Sequence, residues 1–436
     1  MNISILSVFS ELYDSFLKTS LVRRAQENNH VSIEVDTLFS FVQAKERIDA
    51  PAFGPGAGMV LRPEVIERAI TAQEKKHGQG YKIFFSPRGK KLDQERLRAI
   101  AHKMKQSSHL ILVPARYEGM DDRVEEYYAD EILSVGDFVL MGGDLPAMML
   151  LEGLLRLMPG VVGKQESVEQ DSFSGAFVDF PVYTEPGTWH EMSVPDVIRS
   201  GNHGAIEKWR KEQAVKKTVL SHFSWLRSHQ LTAQEKNEAQ QFIPQHYLVL
   251  SHSDVLIGPE NTLGTTSVTS IDIHDIARSA HTYGFEQFFV VTPLKDQQKI
   301  VQTLLDFWQK GPGFSYNRSR FEAVKSVQLK NSMADVIEAI EKETNKKPII
   351  ISTSARQVEN VPRITFYDQD KVWADQRPVV IVLGTGKGLS EEFIRKSDYT
   401  LLPLDGFSDF NHLSVRSAAA IILDRWLGIN SRSLKD

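Results

Sequence analysis

The chain has 436 residues, 41% of them hydrophobic and 25% charged, the balance of a soluble globular protein with about two to three domains. Its net charge of −5 disfavours nucleic-acid binding through the whole surface, so a nucleic-acid partner needs a local basic patch. It has no cysteine, which excludes disulfides, thiolate metal sites and cysteine nucleophiles, and a reduced cytoplasmic setting is the expectation.

The first residues, MNISILSVFSELYDSF, lack a basic start and a long apolar run, so no signal peptide is expected. No stretch approaches the ~18 apolar residues of a membrane span, and no membrane partner is expected. FGPGAGM (53–59) is too irregular for either period and reads as a loop. YKIFFS (81–86) and HLILVP (109–114) are rich in β-formers and short enough for buried parallel strands. Between them Leu97, Ile100 and Met104 recur at helical spacing, so this part reads as an α/β layer over a parallel sheet.

VGDFVLMGGDLPAM (135–148) poses a question about its ligand. An apolar run, Phe138-Val139-Leu140-Met141, reads as a strand that ends in Gly142-Gly143. Pro146 then stands where a phosphate-binding helix would offer its free N–H groups.

Residues 160–175 are polar and aperiodic, a connector. Residues 176–243 read mostly as helices; KWRKEQAVKK (208–217) carries five basic side chains, a solvated face or a nucleic-acid patch on charge alone, and Thr232 and Glu235 stand in capping-box register. A second α/β pattern begins at HYLVLSH (246–252). It continues through EQFFVVTP, KPIIIST and RPVVIVLG, with a helix pattern at MADVIEAIEKE. Its last quoted strand runs into LGTGKGLS (383–390), which lacks the P-loop spacing, and no G-x-G-x-x-G fingerprint follows the early strands. Phosphate sites and a nucleotide-dependent oxidoreductase are therefore disfavoured.

Six motifs occur in fixed order in the first half: SPRGKKLDQ (86–94), ARYEGMDDRV (115–124), SVGDFVLMGGDLPAM (134–148), RLMPG (156–160), QDSFSG (170–175) and SGNHGAIEKWRKEQ (200–213). On these, residues 1 to about 243 resemble the bacterial tRNA (guanine-N1)-methyltransferases, of the SPOUT class. The resemblance implies an α/β domain threaded into a trefoil knot, and S-adenosylmethionine held by main-chain groups. Phe85, Ser86, Pro87, Ala115, Tyr117, Glu118, Gly119, Val135, Gly136, Phe138, Leu140, Gly142, Gly143 and Pro146 are its implied contacts. Such a ligand carries no phosphate, so Pro146 costs no needed donor. Ala115 stands where the family has glycine, and Gly54-Pro55-Gly56 where it has three glycines.

The resemblance further assigns Asp171 as general base toward guanine N1 and Arg156 as the group facing the charge on O6. From the residues alone, Asp171 is more readily a helix N-cap and Arg156 a helix C-terminal charge; the resemblance reverses both. Gly56, Gly58 and Ser172 are expected near the substrate; Asn202, His203, Trp209, Arg210 and Lys211 are expected on the tRNA anticodon arm. A homodimer with Asp171 serving the partner's cofactor is implied, a magnesium ion is suggested with no ligand cluster to show for it, and no DNA partner is expected.

The second half resembles another SPOUT family, of RNA methyltransferase type, through TSVTSIDIHDIARSAHTYG (266–284), VVTPLK, STSAR, LGTGKGL and NHLSVRSAAAIILDRWLG (411–428). Leu383, Gly384, Gly386, Gly388, Leu402, Leu413 and Ser414 are its implied cofactor contacts, and Arg278, His274 and Asn411 its polar candidates near a substrate. The expectation is thus two knotted, mostly parallel α/β domains, at 1–160 and 246–430, with a catalytic linker at 161–175 and a helical tRNA-binding domain at 176–243 between them. The alternative for the second domain is a cofactor-binding or dimerisation module without chemistry.

Overall fold

The computed structural model describes residues 1–55, 58–163, 171–356 and 358–429. The chain divides into two compact units, Met1–Ser174 and Gly175–Asp436.

The first unit is built on five strands, β1 (Asn2–Ser7), β2 (Ser32–Thr37), β3 (Tyr81–Lys91), β4 (His109–Pro114) and β5 (Glu131–Ser134). They lie in the order β2-β1-β4-β3-β5, every neighbouring pair parallel. Helices cover both faces, which is why the strands read as nearly continuous apolar runs. Ile83, Leu110 and Leu112 pack with Leu150, Leu151 and Leu154 of α3 (Asp144–Arg156). Their neighbours Phe84, Ile111 and Val113 point the other way, onto Val65, Ile66 and Ile70 of α1 (Pro63–His77). The helix expected between the two central strands is α2 (Gln94–Gln106), capped by the Asp93 side chain on the Arg96 N–H.

One expectation is corrected. The run Phe138–Met141 is not a strand: β5 ends at Ser134, and the four side chains stand exposed in the following loop, Val139 at 83% and Met141 at 89%. Apolar content signals that a run is to be covered, without saying whether by its own core or by another surface.

The main sheet of the second unit has seven strands, β6 (His246–Ser251), β7 (Gln287–Val291), β8 (Val327–Lys330), β9 (Ile349–Thr353), β10 (Arg363–Ile364), β11 (Val379–Gly384) and β12 (Tyr399–Leu401). Their order is β8-β7-β6-β11-β9-β12-β10, again parallel throughout. Helices α4 (His203–Ser221), α5 (Phe223–Ser228) and α6 (Ala233–Gln240) precede the sheet, the last with the capping box Thr232–Glu235 in place. The segment expected to be a helical domain of its own shares one core with this sheet. Val215, Val219, Phe223 and Leu226 pack with Leu248, Trp373 and Trp426, and the rings of Phe223 and Trp373 meet edge-on at 4.8 Å.

Buried Arg227 adds a polar tie. Its guanidinium donates to the carbonyls of Asp424, Arg425 and Gly428 at the C-terminal end of α9 (Val415–Leu427). The Asp424 carbonyl also accepts from the Gly428 N–H, while a cation at this helix end meets further carbonyls and the negative end of the helix dipole.

Candidate active site

In the first unit the loops leaving the carboxyl ends of β3, β4 and β5 converge on a cleft of about 600 Å³. In parallel α/β sheets this edge is where ligands bind. Phe85, Ser86 and Pro87 come from the first loop, and Ala115, Tyr117, Glu118 and Gly119 from the second. Val135, Gly136, Phe138, Leu140, Gly142, Gly143 and Pro146 come from the third and the start of α3. The sequence expectation therefore names residues that converge from three separate loops onto one wall.

Glycine is required where the loops touch. The Gly143 N–H donates to the Ala115 carbonyl at 2.7 Å, and a Cβ on Gly143 would lie 2.9 Å from both the Ala115 nitrogen and the Pro114 Cα. Neither neighbour is a side chain that could move aside, so an alanine there must push the two loops apart. Pro146 lies in the first turn of α3, where a missing N–H breaks no helical hydrogen bond. Tyr117 holds a left-handed conformation, φ 61°, and turns the second loop back toward the short strand Met59–Leu61. There Glu118 N–H donates to the Met59 carbonyl and Leu61 N–H to that of Gly119. Gly58 lies under the Glu118 side chain, which a Cβ would displace. Gly56 falls outside the described residues.

Beside glycines and apolar side chains the lining carries Arg88, Arg116, Glu118, Asp122 and Glu125. Arg88 pairs with Asp122 at 2.5 Å and Glu125 at 3.2 Å, and all three line the cleft. Burial pushes the Glu125 carboxyl above its ordinary value, against the pull of Arg88. Three carboxylates against two guanidiniums suit a ligand carrying a positive charge, and the volume lies within the ~300–1,000 Å³ of small-molecule sites.

Arg156 and Asp171 are together, but elsewhere. Arg156 Nε and Nη2 donate to one Asp171 oxygen at 2.8 and 2.6 Å. Neither lines the cleft. Arg156 ends α3 ten residues after Pro146, about 15 Å along the helix. Ser172 neighbours Asp171 in sequence and is likewise outside the cleft lining.

In the second unit, Asn202 caps α4, its side chain accepting from the Ala205 N–H at 3.2 Å, and exposed His203 follows. Trp209 faces Tyr183 with ring centres 6.1 Å apart, Arg210 stacks over Phe180 at 4.8 Å, and Lys211 pairs with Glu238 at 2.5 Å. Arg210 is thus an exposed cation on an aromatic face, whereas Lys211 is already neutralised.

A second cleft, of about 760 Å³, opens at the carboxyl ends of β9, β11 and β12. Leu383, Gly384, Gly386, Gly388, Leu402, Leu413 and Ser414 all line it, as does Asn411. Gly386 has φ 61°, and a Cβ on it would lie 2.9 Å from the Leu256 carbonyl. Arg278 is exposed on α7 (Ser270–Thr282) and does not line the cleft; His274 of the same helix packs on Trp308. Among the described residues no group of three or more His, Asp or Glu could hold a metal ion, and no helix is long and apolar enough to cross a membrane.

Sequence reasoning left two residues without a role. Asp144 and Arg116 sit inside quoted motifs, yet nothing in their spacing shows that they form an ion pair at 2.6 Å behind the first cleft. Burial, and then the Asp144 carboxylate, push the hydroxyl of neighbouring Tyr13 far above its ordinary value, so it stays a donor.

Comparison with known proteins adds the following. The family model described as "tRNA (Guanine-1)-methyltransferase TrmD" matches residues 1–227, and that described as "SAM-dependent RNA methyltransferase" matches residues 245–428. A tRNA (guanine-N(1)-)-methyltransferase of Nitratidesulfovibrio vulgaris is 36% identical over 98% of this chain and 99% of its own. One of Oleidesulfovibrio alaskensis is 34% identical with the same coverage. The crystal structure of tRNA (m1G37) methyltransferase from Aquifex aeolicus covers 50% of this chain and 93% of its own, at 28% identity and a TM-score of 0.42.

Proposed function

Because the chain belongs to the tRNA (guanine-N1)-methyltransferase family and carries a SAM-dependent RNA methyltransferase domain behind it, we propose that its two clefts are two S-adenosylmethionine sites serving RNA methylation. The first serves N1 of the guanosine 3′ of a tRNA anticodon; the target of the second is an RNA whose identity its motifs do not reveal. The convergence of fourteen expected contact residues on one cleft is the observation that carries this reading.

When bound, S-adenosylmethionine supplies a methyl group on a positively charged sulfur. Asp171 takes the proton from guanine N1, leaving its electron pair free for the methyl group that the bound cofactor would supply. Arg156 holds the charge that builds on O6. The pair stands about 15 Å from Pro146 in its own chain, so the reacting groups of one protomer serve the cleft of a second copy. The exposed apolar surface of Phe138, Val139, Met141, Leu145 and Met149 supports such a dimer, because it borders the cleft and needs a cover. A trefoil knot in each sheet belongs to the same reading. So does tRNA contact through α4, and any magnesium ion would come with the RNA rather than sit in a preformed cage.

Subunit complementation tests it. Asp171→Asn and Gly143→Val chains, each inactive alone, should regain guanine methylation when refolded together. If the mixture stays inactive while both bind tRNA, the shared site is wrong.

A further inference from the structure

The carboxylate of Asp144, 1% exposed at the first position of α3, accepts three hydrogen bonds. Ser7 Oγ and Tyr13 OH donate to one oxygen at 2.6 and 3.0 Å, and Arg116 Nε donates to the other at 2.6 Å. An acid in a first helical turn is ordinarily solvated, and there the helix dipole suffices to explain it. Complete burial with three donors calls for a different account.

Arg116 connects the carboxylate to the cleft. It belongs to the second cofactor loop and lines the cleft itself. Its stem runs against Gly142 of the third loop, where a Cβ would stand 2.5 Å from the Arg116 Cδ. Its guanidinium lies 5.0 Å from the centre of the Phe9 ring. Beside it the Gly143–Ala115 main-chain bond joins the same two loops. The loops are thus held by one backbone bond and one buried charge pair.

We infer that Arg116 and Asp144 are a positioning couple that sets the separation of these loops, and with it the affinity of the first cleft for S-adenosylmethionine. This rests on the reading of that cleft as the cofactor site. Asp144 does not line the cleft, so it acts through Arg116. With the carboxylate neutralised, Arg116 loses its counter-charge and faces the cleft as an unpaired cation. A ligand with a positive sulfur is then repelled, and the third loop is no longer tied down.

Steady-state tRNA guanine methylation by the full-length protein reports on this cleft alone. Asp144→Asn should raise the cofactor KM by about tenfold, since the loosened loops and the unpaired Arg116 cation both weaken cofactor binding. kcat and the tRNA dissociation constant should stay within about threefold, since neither reads the loop separation directly. Asp144→Glu, which keeps the charge, should recover most of the loss. Arg116→Gln combined with Asp144→Asn should cost no more than the worse single change, as expected for groups acting as one unit. Tyr13→Phe removes one donor without stranding a charge, and should raise the cofactor KM by about twofold even if Asp144→Asn does not fold. A lowered melting temperature with unchanged cofactor KM in Asp144→Asn or Tyr13→Phe would reduce Asp144 to a helix-end acid and overturn the inference. If the unaltered protein shows no saturable cofactor dependence, the cofactor reading fails instead, and the two failures are distinguishable.

Discussion

Arg156 grips Asp171 through two donors on a single carboxylate oxygen, Nε at 2.8 Å and Nη2 at 2.6 Å. The proposed base and the proposed stabiliser of O6 therefore arrive as one hydrogen-bonded unit. A carboxylate anchored at one oxygen keeps a fixed orientation while the other can accept a proton.

Asp171→Asn should accordingly lower guanine methylation by about 10²-fold or more, the usual worth of a general base. Cofactor binding should be unaffected, because Asp171 does not line either cleft. The check is methyl incorporation into tRNA beside calorimetry with S-adenosylmethionine; wild-type turnover would remove the base assignment.

Arg210 and Lys211 are unequal. Lys211 is bound to Glu238 at 2.5 Å, whereas Arg210 is presented on the Phe180 ring. Joint replacement by alanine should weaken tRNA binding and reduce the slope of log affinity against log salt by about one, nearer one lost phosphate contact than two. A salt titration of tRNA binding measures it; an unchanged slope returns this face to plain solvation.

The two clefts predict two cofactor equivalents per chain. Gly143→Val and Gly386→Val each place a Cβ 2.9 Å from main-chain atoms, and each should remove one equivalent while sparing the other. Calorimetry on the full chain reads the stoichiometry. A single equivalent in the unaltered protein would make the second domain a scaffold without cofactor.

His246 is buried between Pro244 and Trp426. Its Nδ1 meets the Pro244 carbonyl at 2.6 Å, so that nitrogen carries the proton, and Nε2 accepts from the Trp426 indole at 2.9 Å. Burial holds its pKa down to about 4, from 6.5. Between those values the unfolded chain binds the extra proton and the folded chain does not, so stability is full above about pH 6.5 and falls as pH drops toward 4. The loss is roughly 3 kcal/mol at 1.36 kcal/mol per pH unit, and His252, also held to about 4 by burial, adds in the same sense. Denaturant melts from pH 8 to 4 measure it; His246→Asn should flatten the slope.

Arg227→Met should destabilise the second unit by about 2–4 kcal/mol, since three helix-end carbonyls lose a charged donor at once. The same urea melts measure it. Unchanged stability would mean that water replaces the guanidinium at no cost.

How much of this was legible beforehand follows from the range of each interaction. Strands such as His109–Pro114 and His246–Ser251 could be read because composition and length act locally. The glycine loops carried the resemblance because main-chain approach leaves few residue choices. The exposed run at 138–141 was misread because apolar character does not identify its cover. The Arg116–Asp144 pair was invisible because 28 residues separate partners that only the fold brings together. Nor could the buried face of α4, with Val215 and Val219, reveal that a second domain covers it.

By ancestry residues 175–227 go with the first family, whose match ends at 227, yet mechanically they belong to the body that begins at Gly175. The seam between the two families and the seam between the two packed units are some fifty residues apart. Severing the chain at 244 would strip the helices of the wall they lean on, including Trp373 and Trp426. The join is therefore more than a tether: helices that match the first family take their core from the second.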